Sequence, residues 1–293
     1  MVSLEVIRMT DDKVVKLSAH APNYKDPKVY NFGKSNRSEY TLLEDGTAEI
    51  KRFREGIANL IIPGEIDGHR VSRIRESAFR RHEVLCEVTV PKGVTRIGGQ
   101  AFRECLHLVK AQLPESLTYL GIGAFRECKR LMEIILPDSI TTLERWAFRE
   151  CANLRRVRVP KQIRVLPERV FTHCFRLEQA VLPEELTDIE DQAFFQCNAL
   201  TDINLPEGLK SIGTGAFWNC LGFTDISLPE GLVSLGTGAF AYCRNLETIR
   251  LPDSLSLMGE NVFKECEKLT VMASAGSYAE EYCRSNGIRV KTV

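Results

Sequence analysis

The chain has 293 residues, 44% of them hydrophobic, which is enough to bury a large core. Lys plus Arg and Asp plus Glu both number 39, and this balance argues against bulk electrostatic binding of nucleic acid, although a local basic patch is compatible with it. No apolar run is long enough for a membrane span, and the N-terminus carries no secretion-signal pattern. We therefore expect a cytoplasmic protein; a secreted or cell-surface protein that had lost a signal peptide would look the same.

Residues 1–39 form a non-repeat N-terminal segment, whose polar stretch His20–Ser38 contains two prolines and predicts a loop or extended arm. Residues 40–75 are predicted to be an N-terminal cap and first turn. The sequence "EDGT" at Glu44–Thr47 places an Asp-Gly pair between apolar runs, which is typical of a β-hairpin.

Residues 76–272 contain nine repeats of 23 residues, and each repeat places a phenylalanine at the same position. The phenylalanines are Phe79, Phe102, Phe125, Phe148, Phe171, Phe194, Phe217, Phe240 and Phe263. A cysteine follows three residues later in eight repeats, with His82 in its place in the first; these are Cys105, Cys128, Cys151, Cys174, Cys197, Cys220, Cys243 and Cys266. The repeat reads AFxxCxxLxxIxLPxxLxxI, and a fixed period of this kind is the signature of a solenoid.

The segment LxxIxL has the spacing of a leucine-rich repeat, with one short strand that points two side chains inward. One unit cannot bury its apolar face alone, so the units stack and bury Phe, Cys, Leu and Ile in columns. The pattern predicts a right-handed β-solenoid with one short parallel strand per turn, a rise of about 4.8 Å per turn, and a helical turn or short helix after Ala-Phe.

Residues 273–293 are predicted to be a C-terminal cap. The stretch Ser277–Gly287 has the pattern of an amphipathic helix that ends at glycine, and a last strand, "IRVKTV", follows it. Both ends of the stack need such closure, because an uncovered strand edge pairs with other chains.

The repeat resembles that of the BspA-like leucine-rich repeat proteins, whose units read AFxxCxxLxxVxIPxxVxxIGxx. The match covers roughly Tyr40 to Val293. The resemblance implies a bacterial protein that binds other proteins, and some members of the family are secreted or surface adhesins that bind host matrix.

The eight repeat cysteines are interpreted as a structural ladder, since free cysteine packs as a small hydrophobic side chain. A zinc site needs four converging ligands, whereas a ladder is linear and the chain has no CxxC pair. Disulfide or redox chemistry between neighbouring rungs is the alternative. Cys86 and Cys283 lie outside the ladder and are the candidates for a more reactive thiol. No catalytic, metal-binding or cofactor-binding residue set is predicted.

Two surface columns vary between repeats, and variable columns are where repeat proteins carry recognition. The outward positions of the strand include Arg156 and Arg158. The position after Phe changes from arginine in the first four repeats to Phe195 and Trp218, with Tyr242 close by. Trp and Tyr surrounded by polar residues are typical of an interface hot spot. The alternative is that these side chains fold down over neighbouring repeats.

Charge divides the chain along its length. Residues 51–181 have 24 Lys or Arg against 15 Asp or Glu, a net charge of +9, and residues 182–260 have 3 against 12, a net charge of −9. Arg155–Arg169 is the centre of the basic part. The charges are interpreted as solvated faces, as a docking zone for an acidic partner, as a nucleic-acid site, or as a cause of head-to-tail association.

The sequence therefore predicts a non-catalytic protein–protein interaction scaffold, monomeric or weakly self-associating, that binds a protein partner through Arg156, Arg158, Phe195, Trp218 and Tyr242. We expect no small-molecule substrate. The alternative is a secreted or surface adhesin of the same family, and a redox or hydrolytic role for Cys86 or Cys283 also stays open.

Overall fold

The computed structural model describes residues 8–10, 13–15, 28–29 and 37–293. Most of the segment 1–39, predicted to be a loop or arm, lies outside the described residues. Within it, strands Arg8–Thr10 and Lys13–Val15 pair antiparallel, and Lys28–Val29 pairs in parallel with Asn59–Ile61.

The repeats stack into a β-solenoid, and each turn contributes two short strands to two parallel ladders. Pairing in the first ladder is interrupted after Glu133–Ile134 and after Asp202–Ile203, and pairing in the second is interrupted after Thr142–Leu143. The first ladder contains Asn59–Ile61, Glu87–Thr89, Lys110–Gln112, Glu133–Ile134, Arg156–Arg158, Gln179–Val181, Asp202–Ile203, Asp225–Ser227, Thr248–Arg250, Thr270–Ala273 and Val290–Thr292. The second ladder contains Ala48–Phe53, His69–Ile74, Arg96–Ile97, Tyr119–Leu120, Thr142–Leu143, Val165–Leu166, Asp188–Ile189, Ser211–Ile212, Ser234–Leu235 and Leu257–Met258.

The predicted solenoid class is confirmed, but the structure has two strands per turn instead of one, and the Ala-Phe segment is a turn and not a helix. Its amides alternate between local and inter-turn partners: Arg80 N–H donates to Ser77 O at 3.1 Å, whereas Phe79 N–H donates to Ala101 O at 2.7 Å. Ser77 and Arg81 also have φ values of 59° and 58°. A left-handed residue on each side of Phe stops an α-helix from forming.

The core is a set of side-chain columns that run the length of the solenoid. The nine repeat phenylalanines stack from Phe79 on Phe102, with ring centroids 4.8 Å apart, to Phe240 on Phe263, at 6.1 Å. Phe53 extends this column into the N-terminal cap at 5.3 Å from Phe79. The column fixes the position of the next side chains on the turn, which are partly or fully exposed except at Thr172 and Ala241.

Both ends of the stack are closed as predicted. Strand Ser38–Leu42 pairs antiparallel with Ala48–Phe53, and Gly46, with φ of 77°, makes the turn between them. At the other end the α-helix Tyr278–Ser285 begins after Ser277, whose side chain accepts a hydrogen bond from Glu280 N–H. Strand Glu65–Ile66 forms a small extra hairpin with His69–Ile74.

Candidate binding surface

The surface candidates lie on the turn that follows each phenylalanine. The second residue after Phe is left-handed in every repeat, from Arg81 with φ of 58° to Glu265 with φ of 60°. This backbone repeats once per turn, so the side chains at the first and second positions after Phe form two adjacent surface columns.

In the first half of the solenoid these columns hold an ion-pair ladder. Arg103 lies between two carboxylates, with its Nη2 at 3.0 Å from Glu104 Oε1 and 3.2 Å from Glu127 Oε1. Arg126 and Arg149 pair with the glutamate that follows each of them, both at 3.1 Å. The arginines that follow Phe in the first four repeats are therefore paired with carboxylates within the molecule.

In the second half the same columns hold the aromatic residues His173, Phe195, Trp218 and Tyr242, and Phe175, the fourth residue after Phe171, lies beside them. We name these five rings the aromatic column. The His173 ring centroid lies 5.5 Å from that of Phe175 and 5.7 Å from that of Phe195. The Phe195 ring stacks on Trp218 at 6.0 Å, and Trp218 lies 4.7 Å from Tyr242. Five rings from four successive turns thus make one continuous surface.

Each ring in the middle of this column rests on a glycine of the next turn. A Cβ on Gly215 would lie 3.8 Å from Phe195 Cδ2, and a Cβ on Gly238 would lie 2.9 Å from Trp218 Cζ3. Phe195, Trp218 and Tyr242 are half-buried as a result. The rings do fold over neighbouring repeats, as the alternative interpretation held, and they still present one side to solvent.

Two cations lie at the far end of the aromatic column. The Arg244 guanidinium carbon is 5.8 Å from the Tyr242 ring centroid, and the Lys264 ammonium nitrogen is 6.0 Å from it. Both distances lie within the range of a cation–π interaction.

Arg156 and Arg158 lie on the first strand ladder, away from the turn that carries the aromatic column. Arg158 binds Asp138 through both of its terminal nitrogens, at 2.9 and 3.2 Å, so its charge is engaged. Among the described residues Arg156 makes no ion pair, which leaves it as the freer of the two predicted contacts.

Sequence reasoning missed His173 as the ring that joins Phe175 to Phe195. Burial lowers the pKa of His173, so the imidazole is neutral at neutral pH and stacks as an aromatic ring. The signal was present, because the second position after Phe changes from glutamate in three successive repeats to histidine here.

The thiols of the cysteine ladder each donate a hydrogen bond to the carbonyl of the phenylalanine one turn back. Cys105 Sγ lies 3.1 Å from Phe79 O, and Cys220 Sγ lies 3.2 Å from Phe194 O. Burial raises the pKa of Cys105 to about 12. Neutral thiols thus satisfy backbone acceptors inside the core.

Cys86 and Cys283, the predicted reactive candidates, are both buried, and burial raises the pKa of Cys283 to about 11. The more accessible thiol lies in the ladder itself, at Cys266, which is half-buried. Residues 37–293 contain no cluster of three or more His, Cys, Asp or Glu side chains arranged to hold a metal ion.

A family model for the BspA type leucine rich repeat region matches six copies in this chain, over residues 57–178 and 165–283. The chain belongs to the BspA-type leucine-rich repeat family. The resemblance drawn from the repeat is thereby confirmed. Membership of this family implies a protein-interaction scaffold, and BspA-type repeat proteins are generally not enzymes.

Two solved structures share this architecture. A leucine-rich repeat protein from Bacteroides ovatus is 26% identical with a TM-score of 0.64, covering 83% of this chain and 71% of its own. A leucine rich cell surface protein from Faecalibacterium prausnitzii is 20% identical with a TM-score of 0.52, covering 92% of this chain and 99% of its own. The second likeness shows the fold alone.

No curated protein matches the chain. In the described part of this BspA-type chain, no helix has the length and apolar character that crossing a bilayer requires.

Proposed function

We propose that this protein is a non-catalytic scaffold that binds a protein partner through the aromatic column. The proposal rests on one observation: the exposed turn residues change along the solenoid while the buried Phe column beneath them stays the same. The Phe column continues unbroken from Phe148 to Phe240, yet the turns above it change from an ion-pair ladder to stacked rings. Since the fold does not need this change, recognition is the simplest reason for it.

The geometry of the rings suits a binding surface. Trp and Tyr dominate interface hot spots because they bring large rigid areas at low entropic cost. The contacts of Trp218 with Phe195 and Tyr242 hold its indole in place before a partner arrives. Preorganisation of this kind reduces the ordering cost of association.

The surroundings favour a partner that carries positive charge. Phe195, Trp218 and Tyr242 lie within residues 182–260, where the net charge is −9. Exposed carboxylates at Glu190 and Asp191 precede Phe195 on its turn, and the exposed Glu260 lies on the turn that follows Tyr242. A complementary potential accelerates encounter and fixes register, so binding should weaken as salt concentration rises.

The test is capture of partners from the native organism with the wild-type chain and two tryptophan variants. We expect Trp218→Ala to lose a partner that the wild type retains. The matched control is Trp146→Ala, since Trp146 is also half-buried but lies on an earlier turn against Arg145. Equal capture by the wild type and Trp218→Ala would contradict a role for the aromatic column, provided that thermal unfolding shows both proteins folded.

A surface adhesin is the alternative function, and the cell surface protein from Faecalibacterium prausnitzii shares its fold with this chain. Cell fractionation and protease treatment of intact cells separate the two locations. Recovery of the chain with the cytoplasmic fraction, protected from protease, supports the scaffold; loss from intact cells supports the adhesin.

A further inference from the structure

The cysteine ladder ends in a pair of thiols that differs from the rest. Cys266 is the last of the eight rungs, and it alone among the ten cysteines of the chain is half-buried while the other nine are buried. Its neighbour in the ladder is Cys243, which is fully buried. The pair therefore combines one thiol that a small molecule can reach with one that it cannot.

Backbone hydrogen bonds hold these two rungs in register. Phe240 N–H donates to Val262 O at 3.0 Å, and Tyr242 N–H donates to Lys264 O at 2.6 Å. The two side chains point the same way, since Cys243 Sγ lies 3.1 Å from Phe217 O and Cys266 Sγ lies 3.1 Å from Phe240 O.

This spacing fits a disulfide. Adjacent turns paired as parallel strands lie about 4.8 Å apart, and a disulfide joins Cα atoms that are roughly 4.4–6.8 Å apart. The expected separation of Cys243 and Cys266 therefore lies within the range that a disulfide spans.

The Cys243 and Cys266 thiols also differ in reactivity towards an oxidant. Burial raises the pKa of Cys243, as it does for Cys197 and Cys220, whereas Cys266 is the rung that solvent reaches. The thiolate is the nucleophile in cysteine oxidation, so Cys266 is the rung that reacts first and Cys243 is positioned to react with its product.

We propose that the Cys243–Cys266 pair is an oxidant-sensitive site that a hydroperoxide converts to an intramolecular disulfide. The Cys266 thiolate attacks one peroxide oxygen, the O–O bond breaks, and the sulfur becomes a sulfenic acid as the first water leaves. Cys243 sulfur then attacks Cys266 sulfur, the S–S bond forms, the S–O bond breaks and a second water leaves. In total two thiols lose two electrons and two protons, and hydrogen peroxide is reduced to two molecules of water.

The bond would also fix one end of the aromatic column. Tyr242 immediately precedes Cys243, and Lys264, whose ammonium lies 6.0 Å from the Tyr242 ring centroid, precedes Cys266 by two residues. A cross-link there joins the two turns that carry this cation–π contact.

The test treats the purified folded chain with a small excess of hydrogen peroxide and blocks the remaining thiols with N-ethylmaleimide. The chain is then digested with trypsin under non-reducing conditions, and the cross-links are mapped by tandem mass spectrometry. We expect Glu265–Lys268, which contains Cys266, to appear joined to Ser211–Arg244, with the loss of two hydrogen atoms. Since Ser211–Arg244 contains both Cys220 and Cys243, the variant Cys220→Ser assigns the partner: the cross-link should persist in Cys220→Ser and disappear in Cys243→Ser.

Three results would overturn the proposal. The first is a cross-link that disappears in Cys220→Ser and persists in Cys243→Ser. The second is oxidation of Cys266 to sulfinic acid with no disulfide in the wild-type chain. The third is oxidation of the buried rungs at the same rate as Cys266. The wild-type map alone decides the last two, so they do not depend on the folding of a variant.

Discussion

The indole of Trp218 lies against Gly238, which occupies the next turn of the solenoid. A Cβ on Gly238 would come within 2.9 Å of Cζ3 and 3.1 Å of Cε3 of the indole. Gly238 also has φ of 60°, a conformation that a residue with a Cβ adopts at a cost. Gly238 therefore allows the left-handed backbone of the turn and also leaves space for the Trp218 indole.

We predict that Gly238→Ala displaces the indole and destabilises the fold by more than the backbone cost alone. The matched control is Gly123→Ala, because Gly123 has φ of 58° but its nearest contact is Arg126 Cβ at 3.4 Å, with no ring above it. Each substitution should cost about 1 kcal/mol or more for the left-handed backbone, and Gly238→Ala should cost more than Gly123→Ala.

Fluorescence separates the two effects. In a Trp146→Phe background Trp218 is the single tryptophan, so the emission wavelength reports how far solvent reaches the Trp218 indole. We expect a shift to longer wavelength in Gly238→Ala and none in Gly123→Ala. An unchanged spectrum in Gly238→Ala would show that the ring does not depend on this glycine.

The phenylalanine column should be most sensitive in its middle. Phe171 is fully buried and stacks on Phe148 at 5.7 Å and on Phe194 at 5.5 Å, whereas Phe263 has one stacked neighbour, Phe240, at 6.1 Å. We predict that Phe171→Ala lowers the free energy of unfolding by about 3–5 kcal/mol, because it leaves a cavity between two rigid rings. Phe263→Ala should cost less. Denaturant titration followed by circular dichroism measures both values, and equal losses would argue against a continuous column.

The repeat period already contains most of this fold, because the 23-residue spacing of Phe, Cys and the aliphatic residues is the spacing of the core columns. The extra strand and the missing helix were not predicted. They depend on left-handed residues such as Glu104 and Trp146, with φ of 60° and 62°, and neither residue type signals that conformation.

The break in the second ladder could be explained only after the strand pairing was known. The second ladder is interrupted between Thr142–Leu143 and Val165–Leu166. At the equivalent position Gly121 N–H donates to Ile97 O at 2.9 Å and Glu190 N–H donates to Leu166 O at 2.9 Å. Pro167 stands there in the interrupted turn, and proline has no N–H to donate.

The sequence predicted the residues of the candidate surface but not how their rings stack. Phe195, Trp218 and Tyr242 stood out because they break the repeat. Their stacking depends on side-chain rotamers and on Gly215 and Gly238 beneath them, which a repeat pattern does not encode. The same limit concealed the bond between Arg158 and Asp138, residues 20 positions apart in the chain.

The histidine in the first rung of the cysteine ladder should make stability depend on pH. His82 is buried, stacks on Phe53 with centroids 5.6 Å apart, and accepts a hydrogen bond from Leu85 N–H on its Nδ1. Burial, with a smaller effect of Arg54, lowers the pKa of His82 from its ordinary 6.5, against the opposing effects of Glu55 and Glu83. The folded state therefore holds this imidazole neutral.

Because the unfolded chain binds a proton near pH 6.5 and the folded chain does not, stability should be full above that pH. It should fall as pH drops from 6.5 towards the folded-state pKa. His82→Cys, which restores the repeat residue, should reduce the loss of stability below pH 6.5. It should not abolish the loss, because burial also lowers the pKa of His173. Thermal unfolding between pH 5 and 8, with a buffer series of constant ionic strength, measures the slope. Identical slopes in the two proteins would contradict the prediction.

The C-terminal cap should limit stability in acid. The Glu280 carboxylate accepts hydrogen bonds from Arg284, at 2.7 Å, from Gly276 N–H, at 2.7 Å, and from Thr292 Oγ1, at 2.9 Å. These bonds, with that of Arg284 the largest effect, lower the pKa of Glu280 from 4.5 to about 2. A carboxylate with a lowered folded-state pKa stabilises the fold above its unfolded pKa, and this contribution is lost as pH falls from about 4.5 to about 2.

We therefore predict that Glu280→Gln removes the stability gained between pH 2 and pH 4.5 and that the difference from the wild type is constant above pH 5. Glu281→Gln is the matched control, since Glu281 lies in the same first helical turn without this network. Hydrogen exchange at the amides of Val290–Thr292, followed across that pH range and corrected for intrinsic rates, reports opening of the cap directly. Among the described residues the last strand pairs with Thr270–Ala273 alone, so its protection should fall first in Glu280→Gln. Protection equal to that of Glu281→Gln would show that the carboxylate does not hold the cap.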